Sequence, residues 1–160
     1  MPPDTPPSVL PPDFAATLFG QARTVALARN QVLFRAGDPC DGCYRVTEGL
    51  LKVTVLGPSR HERILAILGP GALVGELSMI DGAPRSATVT AIRDARLSFV
   101  TREAFEAFAE ANPKVYRHIS ALLAGRLRNN NDALLASSFL SVKGRAARAL
   151  LSLAEAFGED

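Results

Sequence analysis

The chain has 160 residues and a formal net charge of +2, a length that suits one domain and buries roughly 70% of its unfolded surface without disulfide staples. So weak a positive charge is no argument for nucleic acid by itself, and no apolar run reaches the roughly 18 residues of a membrane span. The N-terminus has neither the basic start nor the apolar core of a secretion signal, so a cytoplasmic location is expected.

In chain order, residues 1–12 come first, with six prolines: Pro2, Pro3, Pro6, Pro7, Pro11 and Pro12. That density forbids helix and ladder alike and predicts a mobile arm. Asp13 is then placed to cap a short helix from about Phe14 to Ala22, with Phe14, Leu18 and Phe19 on one side. From Thr24 to Thr101 short apolar runs alternate with turn residues. Strands are expected at Val25–Leu27, Val32–Phe34, Tyr44–Val46, Leu51–Val55, Ile64–Leu68, Ala72–Val74, Ser86–Ile92 and Ala95–Val100. Breaks fall at Ala36-Gly37-Asp38-Pro39, Glu48-Gly49, Gly57-Pro58, Gly69-Pro70-Gly71, Asp81-Gly82 and Arg93-Asp94. This rhythm implies an antiparallel barrel or sandwich. Thr101 is a plausible N-cap, with Glu103 in the first turn, for a helix running to about Ala111. Pro113 opens a second, longer helix that reaches Ser137 or Ser138. Tyr116, Ile119, Leu123, Leu127 and Leu134 recur along it at threes and fours. About 25 residues span roughly 37 Å, too long for one small barrel to cover. Its remaining apolar seam should meet a second copy in a parallel homodimer. A last amphipathic helix is expected from Ser141 to Phe157.

The chemistry concentrates between Val74 and Thr90, VGELSMIDGAPRSATVT. A glycine frees the backbone to bring N–H groups close to a ligand. A helical turn after it adds N-terminal donors that suit a phosphate. Arginine supplies a fixed fork matched to two phosphate oxygens. Ser86 adds a hydroxyl, and Glu76 an acceptor for a sugar hydroxyl. Donors for one anion beside a carboxylate for a neutral hydroxyl describe a sugar-phosphate pocket.

Gly75-Glu76-Leu77, an apolar step, a turn, and Pro84-Arg85-Ser86-Ala87-Thr88 closely resemble the phosphate-binding cassette of cyclic-nucleotide-binding domains. From about Phe14 onward the chain resembles bacterial transcription regulators of the Crp–Fnr family. The resemblance implies an α+β, mainly β fold: an antiparallel β-roll, or double-stranded jelly roll, with a short N-terminal helix and a long C-terminal dimerisation helix. The turns at Gly37-Asp38-Pro39, Glu48-Gly49 and Gly69-Pro70-Gly71 are similar to those of the family's roll. The implied organisation is an arm over 1–12, the nucleotide-binding roll with flanking helices over 13–111, the long helix over 112–138, and a hinge with the first helix of a DNA-binding domain over 139–160.

What the resemblance implies about function is a homodimeric sensor for a cyclic nucleotide, cyclic AMP first. Arg85 would pair with the cyclic phosphate, and Ser86 with the backbone around Gly75 and Ala87 would complete the anion site. Glu76 would take the ribose 2′-hydroxyl. Val74, Leu77, Ser78 and Thr88 belong to the same cassette. Asn130 and Asn131 fall where helix side chains contact the base. They equally suit a polar seam position that fixes register. Relatives carry hydroxyl residues there. In the family's kinases, alanine after the arginine accompanies cyclic AMP and threonine cyclic GMP. Ser86 carries a hydroxyl, so cyclic GMP stays open. Phe139-Leu140-Ser141-Val142-Lys143-Gly144-Arg145 resembles the hinge and first helix of the family's DNA-binding domain, so the sequence reads either as a piece cut from a longer chain, the favoured reading, or as a natural sensor lacking its output, with DNA reached only through the missing part.

Two rival readings remain. Cys40 and Cys43 are the chain's two cysteines, too few for a four-cysteine cluster; they read either as free thiols in or beside a turn or as a redox switch. A ligand-free dimerisation module is the other. An enzyme is the weakest reading, because no nucleophilic triad, paired catalytic carboxylates or metal cluster stands out.

Overall fold

The computed structural model describes residues 10–57 and 60–158. The expected arm therefore lies outside the described residues over 1–9, as do Pro58 of one turn and the last two residues.

Two compact units are present, Ser8–Ile119 and a second that includes Ser120–Asp160. The first holds eight strands, β1 Arg23–Leu27, β2 Val32–Phe34, β3 Gly42–Glu48, β4 Leu51–Leu56, β5 Glu62–Leu68, β6 Leu73–Val74, β7 Thr88–Ala91 and β8 Ala95–Thr101. Its helices are α1 Pro12–Phe19, α2 Glu76–Asp81 and α3 Arg102–Ala111, followed by the start of α4, Lys114–Phe139. The strands form two four-stranded sheets, ordered β1-β8-β3-β6 and β2-β7-β4-β5. Every pairing is antiparallel. This is the expected roll.

Inward-facing residues of the two sheets make one core, which includes Leu27, Phe34, Tyr44, Val46, Leu51, Val74, Val89, Leu97 and Phe99. Alternation along β8 is clear: Ala95, Leu97 and Phe99 are buried while Arg96 is exposed, as the two-residue period of a strand requires. β3 breaks that alternation, with Gly42, Cys43 and Tyr44 all buried. The reason is that α2 and α3 pack against β3, so both faces of its first half are covered.

The helix ends follow capping chemistry. Thr101 Oγ1 accepts from the Ala104 N–H at 3.2 Å, as expected of an N-cap. Asp13 does not cap α1. Pro11 holds the N-cap position with Pro12 at the first helical residues, and Asp13 sits in the first turn. A proline preset near the helical φ starts the helix earlier than the side-chain signal suggested.

The second unit holds the rest of α4 and α5, Val142–Phe157. Ser141 caps α5, its Oγ accepting from the Gly144 N–H at 3.2 Å. Asn129, Asn130 and Asn131 do not interrupt α4; the helix runs through them and all three are exposed.

Candidate functional site

The cassette folds around two glycines. Gly75 has φ +82° and stands at the N-cap of α2, a conformation costly for residues with a Cβ. A Cβ there would also meet the guanidinium of Arg85, with Cζ 3.2 Å away. Gly42, at the head of β3, has φ +152°, and a Cβ would lie 2.9 Å from both the Phe99 ring edge and the Thr101 Cα. Removing both side chains lets two backbone carbonyls close on one arginine.

That arginine is Arg85, whose side chain is 1% exposed. Nη1 donates to the Gly75 carbonyl at 2.9 Å. Nη2 donates to the Gly42 carbonyl at 2.8 Å and to Asp41 Oδ1 at 2.5 Å. Asp41 Oδ2 in turn accepts from the Tyr44 hydroxyl at 3.1 Å. The guanidinium carbon lies 4.3 Å from the Phe34 ring centroid and 5.9 Å from that of Tyr44, within the range of cation–π attraction. A buried cation is tolerable only when paired and hydrogen-bonded in this way. These bonds engage three of the five guanidinium N–H groups, and the Arg85 Nε–H is buried and has no hydrogen-bond partner. Buried donors are rarely orphaned, so this one calls for a partner.

Backbone bonds tie the loop before β3 to the cassette. The Gly37 N–H donates to the Arg85 carbonyl, and the Arg85 N–H to the Asp38 carbonyl, both at 2.8 Å. Thr88 Oγ1 accepts from the Ala36 N–H at 3.1 Å, so this hydroxyl shapes the loop. The cassette's own turn is set by the Gly82 N–H donating to the Ser78 carbonyl and by Asp81 Oδ1 accepting from the Ala83 N–H, each at 2.9 Å.

The remaining cassette residues divide by exposure. Val74 ends β6, buried, and Glu76 and Ser78 are buried in α2. Ala87 is buried, Ser86 is exposed, and Leu77 is exposed on the outer side of α2. Asn130 and Asn131 belong to the second unit. Sequence reasoning missed Asp41, Gly42, Phe34 and Tyr44. Asp41 lies in Cys40-Asp41-Gly42-Cys43, which drew notice for its thiols. No local pattern ties it to an arginine 44 positions away.

Both cysteines are free. Cys43 is not in a turn: it is fully buried in β3. Burial first, and Glu76 next, push its thiol far above the ordinary range. A thiol that resists ionisation is a poor redox nucleophile, which argues against Cys40 and Cys43 as a switch. No group of three or more potential metal ligands occurs among the described residues, and no described helix is long and apolar enough to cross a membrane.

Residues 24–112 match the family model of the cyclic nucleotide-binding domain. The chain belongs to that family. It is 34% identical over 147 residues to the CRP-like cAMP-activated global transcriptional regulator of Mycobacterium tuberculosis, an alignment covering 92% of this chain and 66% of that protein. Among solved structures, it resembles the Thermus thermophilus catabolite activator protein, at 32% identity and TM-score 0.71, over 92% of this chain and 70% of that one. It also resembles the N-terminal domain of a transcriptional regulator from Streptomyces coelicolor A3(2), at 38% identity and TM-score 0.60, over 78% of this chain and 86% of that one. The chain thus spans just under two thirds of the mycobacterial regulator.

Proposed function

We propose that the protein is the ligand-sensing part of a CRP-like transcription regulator and that its ligand is a 3′,5′-cyclic nucleotide, cyclic AMP in the first place. The observation that carries this reading is Arg85. It is a cation at 1% side-chain exposure, held by two carbonyls in a cassette of the family's sequence, with a buried N–H still unmet. Arg85 would bind the cyclic phosphate, joined by Ser86 and the backbone at Gly75 and Ala87. Glu76 would accept from the ribose 2′-hydroxyl. A base contact from Asn130 and Asn131 is part of the proposal, and the hydroxyl of Ser86 keeps cyclic GMP as the second nucleotide to try. The role is binding without turnover, in the cytoplasm.

The same proposal includes a homodimer along α4. Its support is the exposure of Leu127, Leu134, Leu135 and Phe139 on that helix, from 55% to 82%, which is more apolar side chain than one isolated helix turns to water without a partner. Binding would matter by favouring one of two helix arrangements.

The test is thermal unfolding against cyclic AMP, cyclic GMP and plain AMP, with Arg85→Ala alongside. A ligand at 100 times its dissociation constant adds about 2.7 kcal/mol of stability. A rise with a cyclic nucleotide that the mutant lacks supports the reading. No rise with any of the three rejects it and leaves the plain dimerisation module.

A further inference from the structure

We propose that Arg102, the first residue of α3, is a positioning residue for the nucleotide site: it holds the C-terminal end of α2 and so fixes the Gly75 carbonyl and Glu76 at the other end. The inference rests on the reading of the cassette as the nucleotide site and extends that site to a residue outside the cassette.

The two ends of α2 are built alike. Gly75 at its N-cap has φ +82° and Gly82 at its C-cap has φ +71°, so the chain enters and leaves the helix through left-handed glycines. An arginine lies over each. A Cβ on Gly75 would meet Arg85 Nη1, and a Cβ on Gly82 would meet Arg102 Nη1 at 2.9 Å, with Cζ 3.7 Å away. The first arginine belongs to the site already described. The second comes from a different element and has no other part in it.

Between these joints α2 has six residues, too few to hold their place by helical hydrogen bonds alone. Glu76, Ser78 and Met79 are buried, and the helix packs against β3. Leu77 and Ile80 are exposed. A short helix held on one side between two glycines can pivot, and Arg102 stands at the end where the pivot opens. Its guanidinium is aimed by Nε donating to Glu106 Oε1 at 2.8 Å, one turn further along α3. It is also within electrostatic reach of Cys40, in the loop before β3, so it stands where α2, α3 and that loop meet. A cation beside the last turn of a helix is favoured by the partial negative charge of the carbonyl end. Affinity then falls with the fraction of molecules in which α2 is out of place.

The Arg102 side chain is 39% exposed, so replacing it opens no core. The test compares the unmutated chain with Arg102→Met, which keeps the stem, Arg102→Lys, which keeps the charge, and Glu106→Gln, which loosens the guanidinium. Isothermal titration with cyclic AMP and cyclic GMP gives affinity. Hydrogen exchange of the free protein follows the Gly82 N–H, which bonds the Ser78 carbonyl at 2.9 Å. Arg102→Met should bind about two- to fivefold more weakly, the affinity equivalent of one cation at a helix C-terminus. The factor should be the same for each nucleotide that the unmutated chain binds, since the base contacts are untouched. Gly82 should exchange faster before any ligand is added. Arg102→Lys should recover most of both effects, and Glu106→Gln should show a smaller loss in the same direction. The urea midpoint of the free protein should stay near that of the parent, because an exposed pair one turn apart on a helix contributes little to global stability. Parent-like affinity in Arg102→Met, or weaker binding with unchanged Gly82 exchange, overturns the positioning role and leaves the phosphate site in place. Arg102→Lys no better than Arg102→Met overturns it too, because the charge is then not the agent. If the unmutated chain binds neither nucleotide, the reading of the cassette fails and the positioning role falls with it.

Discussion

Replacing Gly75 by alanine tests whether the cassette is built around the Arg85 side chain. Two separate costs are expected. The residue sits at φ +82°, and holding alanine in the left-handed region costs about 1–2 kcal/mol. The new Cβ also falls on the guanidinium. Arg85 must retreat and give up its 2.9 Å bond to the Gly75 carbonyl, a charge-assisted bond worth about 1.5–3 kcal/mol. Together the loss is about 2.5–5 kcal/mol, a large share of the roughly 5–15 kcal/mol typical of a folded domain. Urea unfolding followed by circular dichroism measures it. The decisive control is the cycle with Arg85→Ala. In that background the steric conflict is gone, and Gly75→Ala should cost only the backbone part, about 1–2 kcal/mol. Strict additivity of the two mutations, or a loss below about 1 kcal/mol for Gly75→Ala alone, would refute the account.

Three further outcomes are expected. Thr101→Ala removes the α3 cap and should cost about 1 kcal/mol, whereas Thr101→Ser keeps the acceptor and should recover most of it; equal losses would assign the effect to packing. Stability should decline on the alkaline side. Burial, then Asp41, raises Tyr44 from 10.0 to about 12, and Cys43 is raised above its ordinary 9.0 by burial and then Glu76. The unfolded chain loses these protons first as pH rises, so stability is full below about pH 9 and falls from there toward pH 12. Urea midpoints from pH 8 to 11 follow the decline, and Tyr44→Phe should remove the share that sets in above about pH 10; a flat profile would contradict the burial of both groups. A thiol reagent at pH 8 should label Cys40 well before Cys43 in the folded protein, the latter being fully buried, and equal rates would show that β3 opens readily.

Much of the fold was legible because its signals are local. Strand starts and ends fell close to the expected positions wherever Gly, Pro, Asn or Asp marks the turn, and β2 agrees residue for residue, Val32–Phe34. The cap at Thr101 was read from one side chain and its first turn. Asp13 misled the reading at α1 because a proline pair already fixed the helical φ. The two-residue period failed at Cys43-Tyr44 because helices cover the second face of β3. Alternation reports which face meets water, and here neither does.

The sequence by itself determined the chain's cassette: the glycine that must turn left-handed, the arginine ten residues on, and the strands between turns. These depend on backbone sterics and on side-chain chemistry within a few residues. Only the tertiary structure decided which groups hold the arginine. Asp41, Gly42 and Tyr44 reach Arg85 because β3 lies between β8 and β6 in one sheet and the loop before it is pinned to the cassette. Such pairings span more than forty positions, so no local spacing encodes them. They exist only once two sheets have closed over a common core, where a buried charge has to find its partners.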